Sequence, residues 1–268
     1  MMMDTDQTKL FRRILIPLIG TTDYQDTLIA AALLASRLHT SLTSLFVEDR
    51  TLLSIAELPC VREVTLTGRI LTDLDRPRLE HGLKRELLKI RASLERLERN
   101  APLKWELDSR QGLPGDVLAS MAGPGDLVVL YQQRDNLGTG QGTPFPLEAL
   151  AFDLGSPLLL LRRRQPLREG DIIVVCDTDQ CSPSVMALAK ALSGALGNRS
   201  VQLLPLPGAG SVADLKRVLQ QYAQNPPSLV VLPEPACKRL GIDIAGIADQ
   251  IPYPVLVVKP TPEAPEKP

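Results

Sequence analysis

Aromatic side chains are nearly missing from this chain of 268 residues: Phe, Tyr and Trp together make up 3 % of it. Its core must therefore be assembled from Leu, Val, Ile and Ala, and the single tryptophan, Trp105, reads as core or partner surface rather than a stacking platform. Net charge is missing too. Thirty basic against 31 acidic residues leave −1, so no global field draws nucleic acid or anionic lipid. Apolar runs such as "PLLLL" are too short to cross a bilayer, so no membrane insertion is expected. The opening "MMMDTDQTKLFRR" carries acids and no apolar centre, which argues against a secretory signal and for a cytoplasmic location. Histidine is limited to His39 and His81, and the cysteines at 60, 176, 181 and 237 form no CxxC pair. A zinc site needs roughly three or four clustered nitrogen or sulfur ligands. No metal is expected, and the cysteines are expected as small buried or partly buried thiols.

What is present is a pattern of short apolar runs alternating with amphipathic stretches. "RRILIPLIG" (12–20) reads as a strand covered on both faces. In the following "TTDYQDTLIAAALLASRLHT", Leu28, Ala31, Ala35 and Leu38 share one helical face, and Thr22 with Gln25 has capping-box spacing. "SLTSLFVED" (41–49) is a second strand, completing a β-α-β unit with parallel strands. Residues 50–77 read as a loop with short pieces of structure. Beyond them Leu79, Leu83, Leu87, Ile90, Leu94 and Leu97 form one stripe, expected on a long crossover helix lying on the sheet. "KWELDSRQG", "GDLVVLYQ" and "SPLLLLRR" read as strands, with helices at "PGDVLASMA" and "PLEALAFDL".

After the basic "RRRQPLREGD" the pattern restarts. "DIIVVCDTD" repeats the first strand and "SPSVMALAKALSGALG" the first helix, with Ser182 at the N-cap, Pro183 at N1 and Gly197 at C′. "RSVQLLPLP", "SLVVLPE" and "YPVLVVKP" follow as strands, with helices at "SVADLKRVLQQYAQ" and "GIDIAGIADQI". The expected division is a complete domain at 1–165, a shorter one at 166–260 lacking one strand–helix portion, and a disordered tail at 261–268.

This arrangement resembles the universal stress protein family, in two tandem copies. The family's first strand, of the type "ILVPVDGS", is similar to "ILIPLIGT"; its "G-x-P-x-x-x-I" is similar to "GLPGDVL", Gly112 to Leu118. Its "aDLIV" resembles "GDLVVL", and its closing "CPVLVV" resembles both "SPLLLL" and "YPVLVV". The resemblance implies two α/β, Rossmann-like domains of the adenine nucleotide alpha hydrolase-like type with parallel sheets, the second truncated. It also implies pairing of the domains through their last strands, here "SPLLLLRR" and "YPVLVVKP", and a possible homodimer through the long amphipathic helix at 78–99. Strands that apolar would be aggregation hazards if left as edges.

Ligands of such sheets bind beyond the carboxyl ends of the strands, where strand order reverses. That rim carries Gly20 to Asp23, Val47, the loop after Leu130, Asp177 to Asp179 and the loop after Leu232. The stretch "YQQRDNLGTGQGTPFP", 131–146, is the candidate phosphate loop, because backbone N–H groups beside glycines can wrap phosphate oxygens. The resemblance implies a signature of Gly, two residues, Gly, nine residues, then Gly with Ser or Thr. Its first two glycine positions fall on Gln132 and Asp135. Gly138, Gly140 and Gly142 come later and alternate, Gly142-Thr143 can stand for the last pair, and Pro144 and Pro146 remove two N–H donors. The family's aspartate after the first strand aligns with Ile19 in the first half and is kept as Asp177 in the second. Each half thus keeps a fragment of the site, and the stretch reads as a degenerate nucleotide loop. Asp177 and Asp179 can hold Mg²⁺ or cap a turn; Arg162, Arg163, Arg164 and Arg168 can meet a phosphate or an acidic partner, or form a solvated linker.

The expected function is that of a non-enzymatic stress-response protein acting through protein contacts, with no cofactor. One alternative is an ATP- or AMP-binding sensor or slow ATPase, using Val47 backbone atoms for adenine, Gly138 to Thr143 for phosphates and ATP with Mg²⁺ as ligand. The other is a regulatory module for a membrane transporter.

Overall fold

The structure is a computed structural model, described over residues 10–19, 24–58, 62–64, 70–73, 76–132, 154–162, 170–176, 181–197, 199–206, 211–242, 246–247 and 250–259. The first half runs β1 (Arg13–Ile19), α1 (Gln25–Arg37), β2 (Ser41–Asp49), α2 (Arg50–Ile55), β3 (Arg62–Val64), β4 (Ile70–Asp73), α3 (Arg76–Asn100), β5 (Trp105–Gly112), α4 (Pro114–Met121), β6 (Asp126–Gln132) and β7 (Leu158–Arg162). The second runs β8 (Ile172–Cys176), α5 (Pro183–Ala195), β9 (Val201–Pro205), α6 (Val212–Gln220) with a 3-10 turn at Gln221–Ala223, β10 (Leu229–Pro233), α7 (Glu234–Arg239) and β11 (Val255–Val258).

Nine strands form one sheet in the order β5-β2-β1-β6-β7-β11-β10-β8-β9, and β3 with β4 make a separate antiparallel pair. Every ladder in the large sheet is parallel except β7 with β11. The two halves therefore share a sheet instead of building one each. Winding outward from β1 gives β5-β2-β1-β6-β7, and from β8 gives β9-β8-β10-β11; among the described residues the second half has no counterpart of β5.

Alternation along the strands feeds two apolar layers. Ile14, Ile16 and Leu18 of β1, with Ile172, Val174 and Cys176 of β8, face the layer covered by α1, α3 and α5. Leu15, Ile173 and Val175 face the layer that holds Leu118 of α4, Leu215 and Leu219 of α6, and Ala236 and Cys237 of α7. The Leu28, Ala31, Ala35 and Leu38 face of α1 is buried as its spacing predicts. Of the long stripe on α3, Leu83, Ile90 and Leu94 are buried and Leu79, Leu87 and Leu97 pack against the same layer, while Leu88 points outward at 66 % exposure. The stripe is thus spent on this chain's own core.

At the seam Leu158, Leu159 and Leu160 stand opposite Val257, Leu256 and Val255. The pair Leu159–Leu256 stands at the middle of this ladder. Above it Leu34 of α1, Leu127 and Leu159 line one small apolar cleft with their second-half counterparts Leu192, Leu229 and Leu256. Gly170 enters β8 with φ +153°, and a Cβ there would stand 2.5 Å from the Pro226 carbonyl oxygen, so the close approach of this entry to the segment leading into β10 requires glycine.

The amino ends of β1 and β6 are tied by charge. Asp126, fully buried, accepts from Arg12 Nε at 2.9 Å, Arg12 Nη2 at 3.0 Å, Arg13 Nη2 at 3.2 Å and the Gly123 N–H at 3.0 Å. Burial opposes ionisation of this carboxyl, but the hydrogen bonds from Arg12, Arg13 and the Gly123 amide hold its pKa below the usual carboxylate value.

Several expectations are corrected. Cys176 and Cys181 form a disulfide, with Cα atoms 5.2 Å apart, where thiols were expected; the strand end and the helix start that carry them lie side by side. Cys237 is a buried thiol outside any disulfide, as expected. The N-cap of α1 is Tyr24 with no side-chain cap, because the helix starts at Gln25, and Thr22 lies outside the described residues. Residues 234–239, expected as a loop, form α7: Pro235 suits the first helical turn and Lys238 bonds Glu234 at 2.7 Å one turn on. The helix expected at "PLEALAFDL" lies almost wholly outside the described residues, as does part of that at "GIDIAGIADQI" and the whole tail at 261–268.

Two outcomes follow. Because the folded pKa of Asp126 is depressed, its contribution is present above the unfolded value near 4 and is lost as pH falls through the folded one. Asp126→Asn should cost roughly 2–3 kcal/mol at pH 7 in chemical denaturation, with the gap to wild type closing below about pH 4; a gap independent of pH would contradict the ionic account. A fragment of residues 166–268, expressed alone, should leave β11 as an open apolar edge and associate or melt without cooperativity. A monomeric, cooperative melt would count against the seam.

Candidate functional site: the carboxyl rim of the sheet

Parallel strands aim their carboxyl ends at a common rim, and in the first half that rim is made by β1, β2, β5 and β6. Ile19, Val47 and Arg110 stand in register across β1, β2 and β5. Val47 is fully buried with its side chain in the α4 layer, so only its backbone is available for a ligand. Ile19, where the family resemblance implies an aspartate, packs against that same apolar layer. Next along β2, Glu48 accepts from Ser109 Oγ at 3.1 Å, and Asp49 Oδ1 accepts from the Thr51 N–H at 2.8 Å at the start of α2. The described groups on this part of the rim are thus mixed: apolar Ile19 and Val47, acidic Glu48 and Asp49, neutral Ser109, and two cations, Arg50 at the start of α2 and Arg110, whose Nε is bonded to Asp108 at 3.1 Å. The turn from β5 into α4 is tight: a Cβ on Gly112 would stand 2.7 Å from Val117 Cγ2.

Of the candidate ligand residues, the structure places Val47 and, as the last residue of β7, Arg162 opposite Gln132 of β6. Gly138, Gly140, Gly142 and Thr143 lie outside the described residues, as do Asp177, Asp179, Arg163, Arg164 and Arg168. Trp105 is partly buried at the start of β5, and its Nε1 donates to Glu98 Oε2 at 2.9 Å.

In the second half the rim is made by β8, β10 and β11. β8 ends at Cys176, joined to Cys181 just before α5. Directly after β10, Glu234 opens α7 and is bonded by Lys238 at 2.7 Å, with Lys259 at 3.9 Å. A carboxylate in the first helical turn takes up the positive end of the helix, and Pro235 removes one N–H donor there. Among the described residues no group of three or more His, Cys, Asp or Glu is placed to hold a metal ion, and no helix is long and apolar enough to cross a membrane.

The nine-stranded order and the rim geometry can be set beside solved structures. The chain is similar to a universal stress protein from Archaeoglobus fulgidus, with a TM-score of 0.63 at 10 % identity, over 93 % of this chain and 97 % of that one. It shares the universal stress protein fold. Two Pseudomonas aeruginosa structures, one provisionally named a universal stress protein and the other functionally unknown, match more loosely. Their TM-scores are 0.47 and 0.46 at 13 % and 14 % identity, over 95 % and 96 % of this chain and 95 % of each of theirs. No family model matches the sequence, and no curated protein matches it.

The sequence reading missed two features of the rim. The disulfide had a signal: Cys181 lies five positions after Cys176, one at the end of a strand and the other just before a helix. The helix α7 had one as well, in the Glu234–Lys238 spacing, which the flanking prolines obscured.

Proposed function

We propose that this chain is a tandem universal stress protein, that it is not an enzyme, and that it works in the cytoplasm through contacts with other proteins, with ATP binding weak or lost. The observation that carries the tandem reading is the β7–β11 seam, at which two similarly wound strand sets meet about Leu159 and Leu256. The seam covers within one chain the two apolar strands that would otherwise need a second copy. A homodimer therefore has no need of them and would use another face. The outward side of α3, with Leu88, is one such face.

The chemistry of the rims supports loss of nucleotide binding. An apolar side chain at Ile19 cannot replace a carboxylate in hydrogen bonding a ribose or a hydrated cation. Glu48 and Asp49 beside it add negative charge where a triphosphate would also bring it. The second half offers Glu234 and Pro235 in place of a glycine loop.

Isothermal titration of the full chain with ATP, ADP and AMP in Mg²⁺ tests this. The expected outcome is no saturable binding below about 1 mM, a binding free energy no better than about −4 kcal/mol. Micromolar binding that Gly142→Asp abolishes would overturn the reading in favour of a nucleotide sensor.

A further inference from the structure

Cys176 is the last residue of β8 and is buried in the α5 layer, whereas Cys181 is partly exposed just ahead of Ser182, the N-cap of α5. Their Cα separation of 5.2 Å lies within the range that a disulfide spans without backbone movement. Neither cysteine depends on the bond for its place. β8 is held in register by β9, through Cys176 opposite Pro205, and by β10, and the Cys176 carbonyl accepts from the Leu206 N–H at 2.9 Å. The first turn of α5 is closed by Met186 N–H to Ser182 oxygen at 3.1 Å, and Val185 and Ala189 anchor the helix in the core. A reduced pair would therefore remain poised to close again. The bond ties the last residue of β8 to the residue before the N-cap of α5. In the first half the corresponding sequence positions are Leu18 and Asp23, so only one rim carries this chemistry.

We propose that Cys176 and Cys181 are a reversible dithiol–disulfide clasp between the end of β8 and the start of α5, closed by low-molecular-weight disulfides of the glutathione type and opened by thiol reductants. The order of events follows from exposure and from the helix start. The N–H groups at the amino end of the 13-residue α5 favour a thiolate at Cys181, the more accessible sulfur. That thiolate attacks one sulfur of the incoming disulfide, a mixed disulfide forms on Cys181, and the first thiolate leaves. Cys176, deprotonated, then attacks the Cys181 sulfur; the intramolecular bond forms and the second thiolate leaves. Two protein thiols are oxidised, one small disulfide is reduced to two thiols, and reduction runs the same steps backwards. Cys237, wholly buried in α7, is shielded from this exchange.

The test uses the full chain, equilibrated in glutathione mixtures of rising oxidised fraction, quenched in acid, alkylated and mapped by mass spectrometry without reduction. The clasp predicts a Cys176–Cys181 cross-linked peptide that grows in one step, disappears on return to reduced glutathione, and leaves Cys237 alkylatable only after unfolding. In Cys176→Ala, oxidised glutathione should remain as an adduct on Cys181. Native hydrogen exchange around residues 177–180 should rise on reduction, with β1 and β6 unchanged. Pairing of either cysteine with Cys60 or with a second chain would overturn the proposal, as would an adduct on another cysteine in Cys176→Ala. So would a Cys176–Cys181 bond that survives excess dithiothreitol in the folded protein, which would make it a fixed staple. Should Cys176→Ala fail to fold, the wild-type map decides alone.

Discussion

Leu159 and Leu256 face each other where two strands meet head to tail, in the middle of a sheet that is otherwise parallel. Leu158 to Leu161 and Val255 to Val258 are all buried, so each strand is apolar on both faces and would end its own half as an open edge. Such an edge exposes unpaired N–H and C=O groups as well as hydrocarbon. Pairing the two edges satisfies both needs at once. A buried Leu or Val contributes about 1.5–3 kcal/mol, so losing three or four of these contacts is comparable to the whole net stability of a typical domain, about 5–15 kcal/mol. The seam makes two windings into one cooperative unit.

The same antiparallel joint sets where function can lie. Strands of the first half point one way along the sheet and those of the second half the other. The carboxyl rim around Val47 and the one around Cys176 consequently open at opposite ends, and no ligand can bridge them. The end that carries the Asp126 ion cluster in the first half carries the Cys176–Cys181 bond in the second. The outer edges differ as well. β5 is protected by Glu106, Asp108 and Arg110, whereas β9 reads Val-Gln-Leu-Leu-Pro and exposes Leu203 at 47 %. This second edge is bare because the strand and long helix that cover β2 in the first half have no counterpart beside β9 among the described residues.

Much of this was legible from the chain because the elements are locally consistent. Short apolar runs such as "RILIPLI" and "IIVVC", rich in Ile and Val, have the length and composition of buried strands, and the face of α1 follows from spacing. Non-local pairings were not legible. Arg12 and Arg13 reach an aspartate more than 110 positions away, and nothing in "GDLVVL" marks its first carboxylate as the anchor. The helix α7 was hidden because proline reads as a breaker, although in a first turn it has no intrahelical bond to lose. At the candidate site, the substitutions Ile19 and Glu234 were legible as residue types, but their effect depends on neighbours supplied by other strands. The alternating glycines at 138, 140 and 142 remain a reading of sequence, since the described residues do not include them.

The central claim is that β7 and β11 form one internal seam on which both halves depend. Native-state hydrogen exchange of the full chain measures it most directly, at the amides of Leu159 to Leu161 and Val255 to Val257. The account predicts that these amides exchange only through global unfolding, with the same free energy and denaturant dependence as the central amides of β1 and β8. Exchange of the seam at markedly lower free energy, with β1 and β8 still protected in two separate units, would contradict it.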